Sequence, residues 1–353
     1  MHHLSLSFQT LLACSLLLLP AAAPAAAPSS FEQCLLDALE NADDTMPVGR
    51  LKEGCRVLFP EKNSLAGSAA ASAPADDTTD KSAALERRVS AEAKGHNNLF
   101  AIIPHRPNYL LFATYNDTPN GAAQSGDDRE TDNLEVTFQV SFKVPLLRDL
   151  LEEDNGHLYA AYTMKSFWQA YNNEISSPFR ATDHEPELFL ALRSGLRLFG
   201  WHNPYILTGF SHQSNGRSGD ESRSWNRLYL DFLFEKGDYA LSIKPWYRLP
   251  EDDKTTPADP SGDDNPDIAS YLGYGEITGA WTRNRHTVSV MLRNNLRRHD
   301  NRGAVEVGWS FPLSETMPLK GYLHYFNGYG ESLIDYDSSS NRIGFGLLLT
   351  DWL

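Results

Sequence analysis

The chain has 353 residues, with 46 acidic against 31 basic side chains and a formal net charge of −15. That balance disfavours a nucleic-acid binder, which needs a basic face to meet phosphates. At 41% hydrophobic residues it is too polar for a bundle of transmembrane helices, while a membrane β-barrel stays allowed because its strands are apolar on one face only.

In chain order, Leu11 to Leu19 form a short apolar run, followed by an Ala- and Pro-rich stretch to Pro28. This is the pattern of a secretory signal peptide over residues 1–27, with cleavage near Ala23 or Ala27. The leading segment carries His2 and His3 but no Lys or Arg, so an uncleaved anchor is the alternative. A lipoprotein box at Leu11-Leu12-Ala13-Cys14 is opposed by the apolar run continuing past Cys14. Export leaves Cys34 and Cys55 as an even pair where disulfides persist, inside the helix-patterned stretch from Phe31 to Phe59. Two free thiols are the other reading. Residues 64–95 are rich in Ala, Ser, Asp and Thr and read as a linker with too little apolar surface to fold.

From Asn98 the composition changes. Twelve candidate strands follow, at 105–116, 133–145, 157–170, 186–199, 203–213, 222–236, 237–249, 268–282, 285–297, 302–312, 318–328 and 340–352. Each is long enough for a tilted strand to cross a bilayer, which takes about 9–11 residues. In the fourth, Leu188, Leu190, Leu192, Leu196 and Leu198 share one face while Glu187, Arg193 and Arg197 share the other. A soluble sandwich also alternates, so periodicity does not decide. Loop lengths do: tight turns such as Lys236-Gly237-Asp238 and Arg283-Asn284-Arg285 alternate with long polar connections such as 117–132 and 250–267. The fold class is therefore all-β, a twelve-stranded antiparallel transmembrane β-barrel of the outer membrane over residues 98–353. Residues 28–97 form a periplasmic N-terminal extension on the side of the short turns.

Chemistry concentrates between Gly209 and Tyr229. His212 and Ser214 lie two apart on strand five and share a face, and strand six brings Asn226 beside them. A serine hydroxyl needs a base to take its proton, and the base needs an orienter. H-x-S is common by chance, and solvated loop polars carry it as readily. Parity adds information. Ile206, Phe210, His212 and Ser214 share one face, as do Asn226, Leu228, Leu230, Phe232 and Phe234. The apolar members must meet lipid, so the polar trio points outward as well. Such a group on a lipid face is costly unless it is functional, whereas a porin keeps its polar residues in the lumen. Trp225, Trp246 and Tyr247 read as interfacial belt aromatics.

The block His212-Gln213-Ser214-Asn215-Gly216-Arg217-Ser218 followed by Ser222-Arg223-Ser224-Trp225-Asn226-Arg227-Leu228-Tyr229 resembles the active-site signature of the bacterial outer-membrane phospholipase A family. Further blocks fit in order, Ser176-Ser177-Pro178-Phe179-Arg180 with Glu185 to Phe189, Lys244-Pro245-Trp246-Tyr247, Asp263 to Ile268, and Tyr329 to Tyr336. The resemblance covers residues 98–353. It implies a calcium-dependent phospholipase A1/A2 that cleaves sn-1 and sn-2 acyl esters of phospholipids. Ser214 would be the nucleophile, His212 the base and Asn226 its orienter, with the Gly216 backbone N–H in the oxyanion hole. Calcium would be held by Arg217 and Ser222 of one subunit and Ser176 of its partner, a set of oxygen donors suited to a hard cation. It also implies a homodimer and an active site facing the outer leaflet.

Three positions depart from the family pattern. Met164 stands where a glutamine is common at the dimer interface, and Gly219 where relatives place an aspartate near a second calcium site, for which Asp264 would compensate. The chain ends Asp351-Trp352-Leu353 rather than in Phe. A non-enzymatic porin or adhesin barrel, and an esterase of another chemistry, are the competing classes. The latter lacks its usual G-x-S-x-G or GDSL element.

Overall fold

Every second residue of a strand faces the same way, so a chain alternating apolar with polar residues can close into a cylinder that presents one set to lipid. The computed structural model describes residues 102–120, 131–151, 155–256, 259 and 262–351, together with Leu85 and Arg88. The signal peptide, Cys34, Cys55, the C-terminal Trp352-Leu353 and most of the linker lie outside these described residues. Twelve long strands run β1 (Asn108–Asn116), β2 (Leu134–Leu147), β3 (His157–Trp168), β4 (Phe179–Leu198), β5 (Trp201–Ser214), β6 (Ser224–Lys236), β7 (Tyr239–Arg248), β8 (Gly275–Arg283), β9 (His286–Asn294), β10 (Gly303–Pro312), β11 (Lys320–Tyr329) and β12 (Ser339–Thr350). Each pairs antiparallel with the next, and β12 pairs with β1 to close the barrel. A two-residue strand, Ile103–Pro104, adds to β2.

The short turns follow from local chemistry. Phe199-Gly200 and Asn284-Arg285 both have positive φ at the two central positions, the hairpin geometry that matches strand twist. At the opposite end the long connections gather. The outward face carries exposed Leu188, Leu196, Leu228, Leu230, Ile243, Ile343 and Phe345. Tyr115, Tyr171, Tyr247 and Tyr274 are exposed at the long-loop end, and Tyr239 and Trp309 toward the short turns. Two aromatic girdles flanking an apolar band mark a bilayer-spanning barrel.

The interior is polar and paired. Glu135 accepts from Arg180 Nε at 3.1 Å and Gln169 Nε2 at 2.9 Å, and meets Arg342 Nη2 at 2.5 Å. Arg180 reaches Asp335, and Arg342 Nε lies 2.9 Å from Glu331. Both guanidiniums cover the Phe167 ring, at 5.0 and 4.8 Å. A second set joins Arg106 to Glu185 and Glu187, and Arg227 to Glu185. Between them a cavity of about 550 Å³ is lined by Arg88, Lys244, Glu276 and Leu85, among others. Arg88 Nη2 donates to the Pro104 and His105 carbonyls at 3.1 and 2.9 Å, and Leu85 is buried. Two residues of the stretch read as linker are thus placed in the barrel.

Removing one member of a buried ion-pair network strands its partners. Glu135→Ala leaves Arg180 and Arg342 sharing fewer carboxylates, and should cost about 3–5 kcal/mol of stability, read as a lower urea midpoint in detergent.

Most strand bounds differ from the sequence reading by three residues or fewer, and two starts by seven. β4 begins at Phe179 rather than 186, because Ala181, Asp183 and Glu185 face the lumen while Thr182, His184 and Pro186 face out; with a polar lumen, that alternation carries no hydrophobic signal. β8 begins at Gly275 rather than 268, since Ala269–Leu272 forms a helical turn that buries Ile268 and Leu272.

Candidate active site

β5 ends in Ser214 at the long-loop end of the barrel. Its inward residues are tied down. Gln213 Oε1 accepts from Trp225 Nε1 at 2.9 Å and Arg227 Nη2 at 3.1 Å, and Ser211 Oγ donates to Glu185 at 2.7 Å. The Arg227 guanidinium lies 4.1 Å from the Trp225 ring centre. Trp225 is fully buried and Trp246 nearly so, packed edge to face at 6.1 Å. Their placement as belt aromatics is therefore corrected, since both side chains point into the lumen and stack on a buried cation. Tyr247, on the opposite face of its strand, is 62% exposed and is a girdle residue.

On the outer face, His212 stands opposite Asn226 in the β5–β6 register, and Ser214 opposite Ser224. The His212 Nδ1–Asn226 Oδ1 distance is 2.9 Å. An Nδ1–H donated to the amide oxygen leaves Nε2 free to accept a proton. The trio is only partly buried. One strand pair below it, Phe210 faces Leu228, and both are exposed, as is Leu188 beside Phe210. The parity argument holds for these positions, while Phe234, on the same face near the short turn, is buried. Among the described residues no hydrogen bond joins His212 to Ser214; the two share a face two residues apart, and a rotation about χ brings them together, as is common before substrate binds.

The next segment is an organised turn. Asn215 is buried; its Oδ1 accepts the N–H groups of Arg217 (3.3 Å) and Arg223 (3.0 Å), and its Nδ2 donates to Glu221 O at 2.7 Å. Gly216 follows at φ +65°, a conformation few side chains adopt. Arg217 pairs with Glu221 and donates from Nη2 to Arg180 O at 2.6 Å. Ser222 Oγ donates to Asp264 Oδ2 at 2.6 Å, and Ser224 Oγ does so at 3.3 Å. Lys254 Nζ lies 2.5 Å from Asp264 Oδ1. Burial alone would raise the Asp264 pKa, but the Lys254 ammonium and the serine hydroxyls outweigh it and hold the carboxyl below its usual range. Gly219, at φ +65°, opens a short 3₁₀ turn to Glu221.

Ser176 ends a 3₁₀ turn between β3 and β4 with φ 62°. Among the described residues it makes no hydrogen bond to Arg217 or Ser222. The structure thus gathers His212, Ser214, Gly216, Asn226, Arg217, Ser222 and Asp264 at one end of β5 and β6, and places Ser176 in a different loop.

Glu251 escaped the sequence reading, and His184, which reads there as a solvated loop residue, is instead on β4. Asn226 Nδ2 donates to Glu251 Oε1 at 3.0 Å. His184 stands opposite Ser214 in the β4–β5 register, and a Cβ on Gly216 would lie 3.7 Å from its Nε2. The Tyr162 hydroxyl lies 2.6 Å from His184 Nδ1. Met164, opposite His184, lines the same outer face. Asn215 had a local signal, as an Asn before a Gly turn; His184 comes from another strand and Glu251 from the loop after β7, with no fixed spacing.

A family model described as Phospholipase A1 matches residues 85–349. A Klebsiella pneumoniae protein named Phospholipase A1 is 38% identical over 273 residues, 77% of this chain and 90% of that relative. The crystal structure of a Salmonella typhi outer-membrane phospholipase dimer with bound calcium matches with a TM-score of 0.66 at 37% identity, covering 73% of this chain and 95% of that one. An active-site mutant of the Escherichia coli outer-membrane phospholipase A, with an asparagine changed to alanine, matches with a TM-score of 0.67 at 36% identity, covering 75% and 98%.

Proposed function

Because the chain belongs to the phospholipase A1 family, we propose that it hydrolyses both sn-1 and sn-2 acyl esters of phospholipids in the outer membrane through Ser214, His212 and Asn226. The observation that carries this reading is the 2.9 Å His212–Asn226 contact on the lipid-facing side of the barrel, beside Ser214. The active-site asparagine of the Escherichia coli relative supports Asn226 in the same role.

In this mechanism Ser214 Oγ attacks the ester carbonyl while His212 Nε2 takes its proton. The developing oxyanion meets the Gly216 N–H, in the turn that the positive φ and the Asn215 bonds organise. His212 then returns the proton to the departing glycerol oxygen, leaving an acyl group on Ser214. Water, deprotonated by the same imidazole, releases the fatty acid. Asn226 keeps Nδ1 protonated throughout and the ring turned toward Ser214.

Calcium in the Salmonella relative supports the same cofactor here, held by Arg217 and Ser222 with Ser176 of a second subunit. The donor set fits. A serine hydroxyl that ligates a cation through its lone pair needs an acceptor for its proton, and Asp264 Oδ2 is that acceptor. When bound, the ion supplies positive charge beside the oxyanion. A separate calcium site on Asp264 would require Lys254 to leave Oδ1. The dimer of that relative supports a homodimer here, with the long loops and the active site toward the outer leaflet.

Purified protein in mixed micelles should release fatty acid from phospholipid with calcium and fall to background with a chelator. Equal rates in both conditions would remove calcium, and no hydrolysis in either would return the chain to the porin class. Asn226→Ala should slow turnover roughly 10–100-fold, whereas His212→Ala should cost at least about 1000-fold, since only the latter removes the base. Side-by-side kcat values decide the ordering.

A further inference from the structure

We propose that Glu251 is a positioning residue of the catalytic group, acting on His212 through Asn226; this rests on the reading of Ser214, His212 and Asn226 given above. An amide between an imidazole and nothing else can turn over, offering either its oxygen or its NH₂. With the oxygen it receives the Nδ1 proton and holds the ring ready; with the NH₂ it forces Nδ1 to be the acceptor, which puts the proton on Nε2 and blocks the base. The carboxylate removes that ambiguity. Glu251 Oε1 can only accept when ionised, so at 3.0 Å it takes an Nδ2–H of Asn226 and leaves Oδ1 for His212 at 2.9 Å.

The fold delivers this residue deliberately. Leu249 N donates to Asn226 O at 2.8 Å, so pairing between β6 and the chain leaving β7 continues one residue past the strand. Glu251 arrives two residues later against the Asn226 side chain. It is part-buried, which weakens but does not abolish screening by water.

Charge is the second contribution. A neutral amide gives the imidazolium formed in the reaction less support than a carboxylate would. Glu251 restores a negative charge one amide away from Nδ1. Around His212, the titratable or charged groups on the outer face are few. β4 contributes His184, hydrogen-bonded to Tyr162 of β3; β6 contributes the neutral Asn226; the loop after β7 contributes Glu251. Glu185 and Arg227 lie on the lumen side of the same strands.

Glu251→Ala should lower kcat about tenfold with KM within about twofold, since the bond is made to the catalytic group and not to lipid. Glu251→Gln keeps length and an acceptor but no charge, and should lose about threefold. Adding Glu251→Ala to Asn226→Ala should cost nothing further, as the two residues act through one chain of bonds. The heat-modifiable gel band of each variant checks folding. Additive losses in the double variant, or a loss carried by KM with kcat unchanged, overturn the proposal. If Asn226→Ala alone runs at the wild-type rate, the orienter reading itself fails, and that outcome is visible separately.

Discussion

Ser214→Ala will reduce acyl-ester hydrolysis by roughly 10⁴-fold or more, because it removes the hydroxyl that shares a strand face with His212 two residues away. The two nearest hydroxyls do not replace it: Ser222 and Ser224 both give their protons to Asp264, and neither neighbours His212 along its own strand. What survives will come from the oxyanion donors alone, which polarise an ester without attacking it. The side chain is small and partly exposed, so the barrel should be unharmed. An unchanged heat-modifiable band beside background fatty-acid release is the expected pair of results, together with loss of labelling by a sulfonyl fluoride. Turnover within tenfold of wild type would remove Ser214 as nucleophile.

Two inactive variants should restore activity when mixed. Ser176 has φ 62°, where a β-branched side chain is strained, so Ser176→Val should displace the carbonyl and hydroxyl that this turn presents. In a homodimer that shares calcium ligands across subunits, the Ser176→Val chain keeps its own Ser214 and receives an intact Ser176 from a Ser214→Ala partner. Random pairing makes half the dimers mixed, each with one complete site, so about a quarter of wild-type activity should return. The recovery should vanish on dilution into detergent that separates the subunits, as mass action requires. Ser176→Val protein that is fully active by itself would place the whole site within one chain. So would full wild-type activity from strictly monomeric protein.

The strand plan was legible because lipid imposes a strict alternation on the outer face, seen in Leu188, Leu190 and Leu192. Loop lengths then told which end was which. Legibility failed where the lumen replaced a hydrophobic core. Asp183 and Glu185 belong to β4 but look like loop residues, since their partners, the Leu333 N–H for the first and the Arg106 and Arg227 guanidiniums for the second, come from distant parts of the chain. Trp225 and Trp246 looked like girdle residues for the same reason; nothing in a linear reading shows that Arg227 waits inside for both. His212, Ser214 and Asn226 were reachable because parity on two adjacent strands is a local property. Glu251 was not, since its meeting with Asn226 depends on how β7 leaves the sheet. The Ser176 to Arg180 and Tyr329 to Tyr336 blocks were visible as motifs, yet their shared purpose, the Arg180–Asp335 pair, needs the closed barrel.

The face that carries His212, Ser214 and Asn226 looks sideways from the barrel wall, with exposed Phe210, Leu228 and Leu188 immediately below it. On the proposed reading a lipid reaches Ser214 by sliding within its own leaflet, and its acyl chain need never leave the hydrocarbon. The quantity that governs encounter is then the fraction of the surrounding surface made of hydrolysable lipid, not the amount per volume of solution. A leaflet built of other amphiphiles is a dilute medium for this enzyme even when the cell is full of phospholipid, and a local defect that lets phospholipid cross raises the working concentration abruptly.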